Sequence, residues 1–200
     1  MTNIDSAAKR DKPKRGIVLA GGGARGAYEV GVLSYICQEL PRGLIKPGDI
    51  NIICGSSVGA IHACFLAGSA HIDGFDIERL VDSWREMRIE NMLKLRARDM
   101  VKLPFEFKKL FSGSPQRKGL LLNSRALQDL VVRDMPWAQV RYNVRSSVVE
   151  ALALSATHVK SGKSTIFVDR ADGGLPSWSR DPRTIATATR ITPQHALASA

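Results

Sequence analysis

The sequence predicts an α/β fold with a mainly parallel central sheet. Two short apolar runs, residues 16–20 and 50–54, are each followed at once by a glycine-rich turn. After each turn, apolar side chains recur at helical spacing, over residues 24–40 and 60–67. Two such units in succession require parallel strands joined by helical crossovers.

Each boundary of these units carries its own signal. The run of residues 16–20 is stopped by glycines, which suits a short buried strand. Pro41 and Gly43 end the first helical pattern. Residues 50–54 are rich in isoleucine, whose β-branched side chain favours strands. The two units therefore occupy the first third of the chain.

Further elements are predicted along the rest of the chain. Residues 77–110 have a helical pattern that is broken at Pro104, and its apolar and basic residues are mixed. The remaining expectations are a helix over 119–135 capped at Asn123 or Ser124, an extended stretch over 140–155, a strand over 165–168, a loop over 170–183 and a last helix opened by Thr192-Pro193.

Length and composition indicate one domain. The 200 residues, 44% of them hydrophobic, suffice for one compact core. We expect a flexible basic tail over residues 1–14 and a domain over 15–200, with a helical basic cap at about 77–118. No run of about 20 apolar residues and no signal peptide is present, which predicts a cytoplasmic protein.

The charge pattern is compatible with two classes of partner. The formal net charge is +10, and positive residues concentrate at 9–15 and 94–118. Such clusters favour nucleic acid or an anionic lipid surface. No recognised nucleic-acid motif accompanies them, and stacking aromatics are sparse, so we expect no nucleic-acid partner. A peripheral association with a membrane remains open.

The cysteines give no sign of a metal site. Cys37, Cys54 and Cys64 make an odd count without metal-ligand spacing, and each lies among apolar neighbours. A reduced cysteine in such surroundings behaves as a small hydrophobe. We therefore predict buried, unreactive thiols, no metal and no cofactor.

The second turn has the pattern of a nucleophile elbow. Gly55-Ser56-Ser57-Val58-Gly59 is a G-x-S-x-G turn between a predicted strand and a predicted helix. The glycines allow the strained backbone that presents the serine, and the helix start favours negative charge there. Ser57 is the candidate nucleophile, whereas Ser56 would point to the other side of the turn. The alternative is a tight turn with an ordinary serine.

The first turn supplies candidate donors for an oxyanion hole. Acyl transfer needs backbone N–H groups aimed at the carbonyl oxygen as it becomes an alkoxide. Both turns leave parallel strands at the same end of the sheet, so they should lie side by side. The candidate loop is Gly21-Gly22-Gly23-Ala24-Arg25-Gly26.

A dinucleotide- or flavin-binding loop is the alternative for this first turn. Gly21, Gly23 and Gly26 also satisfy the G-x-G-x-x-G pattern. Against it, the acidic residue expected at the end of the second strand is missing, because that strand ends in Cys54-Gly55. Arg25 either fixes the loop or is an exposed arginine of the first helical turn.

Together the two motifs resemble those of the patatin-like phospholipase family. The resemblance rests on the order of the Gly21–Gly26 loop and the Ser57 elbow, and it extends to residues 119–123 and 195–200. It implies a three-layer α/β/α patatin-like fold and hydrolysis of phospholipids or other acyl lipids. It also implies a serine and aspartate dyad without a metal.

A dyad needs no histidine, because a carboxylate can take the serine proton directly. His62 lies too soon after Ser57 for the late loop that carries a triad histidine, and the other three histidines have no local motif. Structural or surface histidines are therefore expected. A serine, histidine and acid triad remains an alternative.

The dyad aspartate has two candidate positions. The family places it in an Asp-Gly-Gly or Asp-Gly-Ala turn after the stretch that residues 195–200 resemble. Asp172-Gly173-Gly174 has the right letters but precedes that stretch, and Asp-Gly is also a common surface turn. We therefore weigh Asp172 against an aspartate beyond residue 200, which would make this chain an incomplete, weakly active product.

The cap is a candidate membrane-docking surface. Its basic residues between 94 and 118 could meet anionic headgroups, while Phe105, Phe107, Leu110 and Phe111 insert shallowly. The alternative is a solvated cap whose aromatic side chains pack inward.

Overall fold

The computed structural model describes residues 14–40, 49–86, 130–175 and 181–200. Within these ranges the chain forms five strands and five α-helices. In chain order they are β1 (Arg15–Leu19), α1 (Gly26–Gln38), β2 (Ile50–Ser56), α2 (Val58–Ser69), α3 (Ile77–Glu86), α4 (Trp137–Arg145), β3 (Ala151–Thr157), β4 (Ser164–Asp169), β5 (Thr184–Ala188) and α5 (Pro193–Ser199). Short helical turns cover Gly23–Arg25, Asp73–Asp76 and Leu130–Asp134.

The five strands form one sheet in the order β1-β2-β3-β4-β5. Strands β1, β2 and β3 are parallel, β4 runs antiparallel to β3, and β5 is parallel to β4. Three of the four neighbouring pairs are therefore parallel, which confirms the predicted α/β class with a mainly parallel sheet. The third layer of the predicted fold stays a prediction.

The strand register fixes two ends of the sheet. Leu19 pairs with Gly55, and Ser56 pairs with Ser155, so β1, β2 and β3 finish together. We call this the carboxyl end of the sheet. Because β4 is antiparallel, its last residue Asp169 pairs with Leu152 near the start of β3. Strand β4 therefore finishes at the opposite end, which we call the amino end.

Helix α2 lies at the centre of the core. Every residue from Gly59 to Ser69 is buried. The helix packs on β2 and against α4, and it also contacts β3 and α5. Such all-round burial is typical of a helix with small and apolar residues on every face. The residue that opens α2, Ser57, is therefore carried by the most enclosed element of the described chain.

The sequence located most of the described elements. Both early strand and helix pairs, strand β4, helix α5 and the helical start of residues 77–110 are confirmed. The helix predicted over 119–135 is described only from residue 130, where Leu130–Asp134 forms a π-helical turn. The remainder of the predicted basic cap, residues 87–118, lies outside the described residues. The predicted N-terminal capping residue of the 119–135 helix, Asn123 or Ser124, lies outside them as well. The proposed domain boundary and basic tail stay predictions.

One expectation was wrong, and one strand was not predicted. Residues 140–145, predicted as extended, belong to helix α4, where Val140 and Val144 are buried one turn apart. Their spacing fits a helix, but the β-branched residues favoured a strand. Strand β5 follows the predicted loop over 170–183, where no element was predicted; its side chains, Thr-Ile-Ala-Thr-Ala, are half-buried or exposed and give only a weak alternating signal.

The three cysteines are free thiols, and Cys64 is fully buried while Cys37 and Cys54 are half-buried. Burial raises the pKa of each thiol. Since the thiolate is the reactive form, these positions are poor nucleophiles at neutral pH. Among the described helices, none combines the length and the apolar composition that a bilayer crossing requires.

Candidate active site

Ser57 occupies a strained backbone position between β2 and α2. Its φ of 53° and ψ of −127° lie in a region that side-chain-bearing residues seldom adopt. Such a conformation costs on the order of 1–3 kcal/mol and persists only where the surroundings enforce it. Ser57 directly precedes the first residue of α2, whose unpaired N–H groups and dipole favour negative charge. This is the geometry that a nucleophile elbow requires.

The flanking glycines are required by close backbone packing. A methyl group on Gly55 would lie 2.2 Å from the carbonyl oxygen of Gly59. A methyl group on Gly59 would lie 2.3 Å from the carbonyl oxygen of Leu19, at the end of β1. Real side chains do not tolerate such distances, so the elbow is pressed against both β1 and the start of α2.

The glycine loop lies beside Ser57. It follows β1, and a single helical turn, Gly23–Arg25, leads into α1. Gly23 has a φ of 55°, which favours glycine. A methyl group on Gly21 would lie 3.1 Å from Ser57 Cβ, so the loop and the elbow touch. The predicted juxtaposition of the two glycine turns is confirmed by this contact.

The end of the loop is packed against the elbow as well. A methyl group on Gly26 would meet Trp84 Cζ2 at 2.6 Å and Val58 Cγ2 at 2.9 Å. Gly26 itself is buried, whereas Ala24 and Arg25 are exposed. The Arg25 N–H donates to the Gly22 carbonyl at 3.1 Å. Arg25 thus helps to shape the turn through its backbone.

A polar network, fully buried at His62 and partly buried at Glu29 and Trp84, lies next to this loop. Glu29 Oε1 accepts the N–H of Ala20 at 2.8 Å, and Glu29 Oε2 lies 2.6 Å from His62 Nδ1. Trp84 Nε1 donates to His62 Nε2 at 2.9 Å. His62 is 1% exposed. Neither Glu29 nor Trp84 can be recognised as a site residue from the sequence, because a helical glutamate and a helical tryptophan carry no local motif.

Ser199 was also missed as an individual residue, although its stretch was singled out. Its Oγ accepts the N–H of Ser57 at 2.8 Å and donates to the Ser155 carbonyl at 2.6 Å. Helix α5 therefore ends at the elbow. No local sequence signal places Ser199 there, because the contact spans 142 positions.

The four histidines all lie within the described residues, and each has another partner. His62 is held between Glu29 and Trp84, and its burial lowers its pKa against the opposing effect of Glu29. The other three contacts are His71 with Asn143, His158 with Ser161 and His195 with Thr192. This arrangement agrees with the prediction of structural histidines and does not favour a serine and histidine triad.

Asp172 lies away from Ser57. It follows β4, whose last residue Asp169 pairs with Leu152, whereas Ser56 pairs with Ser155. Leu152 and Ser155 are three residues apart on β3, which corresponds to about 10 Å along the strand. The Asp172 carboxylate is exposed; it accepts from Arg170 Nη2 at 2.9 Å and from the Gly174 N–H at 2.9 Å. It closes a surface turn at the amino end of the sheet.

The Ser57 hydroxyl has no hydrogen-bond partner in residues 14–40, 49–86, 130–175 and 181–200. Glu29, which lies near the glycine loop, already accepts two hydrogen bonds. The described part of the chain therefore presents the serine and the loop without a base in contact with the serine.

A cavity of about 470 Å³ opens beside the glycine loop, between the outer side of β1 and helix α1. Its lining is mostly apolar and includes Val18, Leu19, Gly21, Tyr28, Val32 and Ile36. Ser57 does not line it. The residues that the cavity shares with the candidate loop are Gly21, Gly22, Arg25 and Gly26.

Comparison with known proteins agrees with this geometry. Residues 17–168 match the model of the patatin-like phospholipase family. The match covers most of the chain, so the chain belongs to this family.

One curated relative is similar over part of its length. Over 88 residues the chain is 34% identical to an uncharacterised protein of Acanthamoeba polyphaga mimivirus. The match covers 40% of this chain and 23% of the viral protein, so the chain spans less than a quarter of that relative. No solved structure gives a significant match.

Proposed function

We propose that this chain hydrolyses ester bonds of phospholipids or other acyl lipids with Ser57 as the nucleophile. The observation that carries the proposal is the contact of Gly21 with Ser57, whose backbone is held at a φ of 53°. A serine in this conformation, beside a loop of glycine amides and before a buried helix, suits acyl transfer.

In the proposed reaction, Ser57 Oγ attacks the ester carbonyl while a carboxylate takes its proton. Amides of the Gly21–Gly26 loop, together with the start of α2, stabilise the oxyanion of the tetrahedral intermediate. The intermediate expels the alcohol, which receives the proton, and leaves an acyl-serine. Water then releases the carboxylic acid and restores Ser57.

We place the carboxylate of the proposed Ser/Asp dyad outside the described residues, because no described carboxylate is in hydrogen-bond contact with the Ser57 hydroxyl. Asp172 fits this role poorly, because it closes a turn at the amino end of the sheet while Ser57 lies at the carboxyl end. The alternative of a dinucleotide- or flavin-binding loop at Gly21, Gly23 and Gly26 gains no support from the family match.

We further propose that the basic segment at 94–118, which lies outside the described residues, docks the chain on anionic membranes. Sedimentation with liposomes tests this point, with and without an anionic lipid. Binding that does not depend on the anionic lipid would contradict electrostatic docking.

The direct test of the nucleophile is labelling with a fluorophosphonate probe followed by peptide mapping. We expect the probe on Ser57 and no label on Ser57→Ala. Ser34→Ala is the matched control, because Ser34 bonds Gln38 on the exposed face of α1. Equal labelling of wild type and Ser57→Ala, or a label on another serine, would exclude Ser57 as the nucleophile.

A further inference from the structure

A chain of hydrogen bonds joins three helices directly beside the glycine loop. It runs from Trp84 on α3 through His62 on α2 to Glu29 on α1, and Glu29 also accepts a hydrogen bond from the N–H of Ala20. We infer that this network positions the glycine loop against Ser57, with Glu29 as the positioning residue. The inference rests on the proposed function and extends it to residues that do not touch the substrate.

The direction of each hydrogen bond follows from the chemistry of the groups. An indole N–H only donates, so His62 Nε2 must accept from Trp84. The proton of the neutral ring then sits on Nδ1, which donates to Glu29 Oε2 at 2.6 Å. A protonated ring would set two donors, Nε2–H and the indole N–H, against each other. The network therefore holds a single, neutral tautomer.

Glu29 is suited to this place because it accepts on both oxygens. One oxygen takes the Ala20 N–H and the other takes His62 Nδ1–H. An amide side chain has one acceptor oxygen and would lose one of the two bonds. The pattern therefore discriminates between glutamate and glutamine at this position.

The network holds both ends of the glycine loop. Ala20 directly precedes Gly21, which contacts Ser57. At the other end, the Trp84 ring packs against Gly26. His62 lies on the helix that Ser57 opens, five positions after it. The same three side chains thus connect the candidate oxyanion loop to the helix that carries the candidate nucleophile.

A purely structural role for the network would predict a different outcome. Loss of a structural contact lowers the stability but leaves the reactivity of the folded fraction unchanged. A positioning role predicts slower reaction at Ser57 in fully folded protein, because a misplacement of about 1 Å can cost about 100-fold in rate. Rate and folding must therefore be measured on the same samples.

The test compares Glu29→Leu, which removes both acceptors, with Glu29→Gln, which keeps one. For each variant we would measure the rate of fluorophosphonate labelling at Ser57, the folded fraction by circular dichroism, and the hydrogen exchange of the Ala20 amide by NMR. We expect Glu29→Leu to label about 10- to 100-fold more slowly, with faster Ala20 exchange. Glu29→Gln should recover part of the rate.

Glu78→Gln is the matched control, because Glu78 is an exposed glutamate whose carboxylate bonds Gln38 at the interface of α1 and α3. It should label at the wild-type rate. If Glu29→Leu does not fold, Trp84→Phe replaces it, since phenylalanine keeps a smaller aromatic ring at this position and lacks the indole N–H that donates to His62. Its labelling should slow in the same direction by a smaller factor.

A folded variant in which the Ala20 amide exchanges freely while Ser57 reacts at the wild-type rate would overturn the positioning role. Unchanged Ala20 protection in folded Glu29→Leu would overturn it as well. An unlabelled wild type is a separate result: it removes the proposed function and the positioning role together. If only the positioning role is wrong, Ser57 is still labelled in the wild-type protein.

Discussion

The hydroxyl of Ser199 accepts the backbone N–H of Ser57 and donates to the carbonyl of Ser155. One side chain at the end of α5 therefore binds the elbow and the end of β3 at once. The Ser57 N–H lies one residue beyond Ser56, the last residue of β2 that pairs with β3. Ser199 supplies the partner that the ladder does not.

We predict that Ser199→Ala lowers the free energy of unfolding by about 1–3 kcal/mol, because two partly buried backbone groups lose their partner. Urea denaturation of the purified chain measures this change. Labelling of Ser57 should also slow, since the elbow loses a contact that holds its strained backbone.

Ser146→Ala is the control for this prediction. The Ser146 hydroxyl also donates to a backbone carbonyl, that of Tyr142 at 2.8 Å, but it is exposed at the C-terminal cap of α4. Its removal should change the free energy of unfolding by no more than about 0.5 kcal/mol. Equal effects of the two substitutions would contradict a special role for Ser199.

The packing of the elbow predicts opposite effects for two glycine substitutions. Gly59→Ala puts a methyl group 2.3 Å from the Leu19 carbonyl oxygen, so we expect no folded protein or a loss of more than about 4 kcal/mol. Gly31→Ala, within α1, meets nothing within 4 Å and should stabilise the chain by about 0.5–1 kcal/mol. Thermal unfolding of both variants tests this contrast, and a tolerated Gly59→Ala would contradict it.

The sequence was most informative where backbone geometry itself carries the signal. A side chain is excluded by close backbone packing at Gly55 and Gly59. The loop approaches Ser57 at Gly21. Such local constraints leave a readable pattern of glycines between apolar runs. The fold class and the juxtaposition of the two turns could therefore be predicted from the sequence.

The contacts that support the site could not be predicted in this way. Glu29 meets His62 across 33 positions, and Ser199 meets Ser57 across 142. Neither pair has a fixed spacing, because both arise from how separate helices pack on the sheet. Helix α4 was missed for a related reason. Its buried valines favour a strand locally, and the helix is stabilised by packing against α2, which the local sequence does not reveal.

Asp172→Asn distinguishes a surface turn from a catalytic base. The exposed carboxylate bonds Arg170 and the Gly174 N–H, and asparagine keeps the acceptor for Gly174. We expect labelling of Ser57 to stay within about twofold of wild type and stability to change by less than about 1 kcal/mol. Labelling is measured with the fluorophosphonate probe, and its abolition in folded protein would restore Asp172 as the base.

The buried His62 predicts that stability falls in mild acid. Burial lowers the pKa of His62 in the folded chain below its ordinary 6.5, although the Glu29 carboxylate opposes the shift. Below pH 6.5 His62 therefore binds a proton more readily in the unfolded chain than in the folded chain, and unfolding becomes more favourable. This stability is present above pH 6.5 and is lost as the pH falls, by at most about 1.4 kcal/mol per pH unit.

Urea denaturation at intervals from pH 7.5 to 5 would measure this loss in wild type and in His62→Gln. His195 contributes in the same direction because burial lowers its pKa, and Asp169 contributes in the opposite direction because burial raises its pKa. Both groups are present in the two proteins, so their effects cancel in the difference. The slope of stability against pH should be smaller in His62→Gln, even if that variant is less stable throughout. Equal slopes would mean that His62 takes up a proton in the folded chain, which the bond from Trp84 forbids.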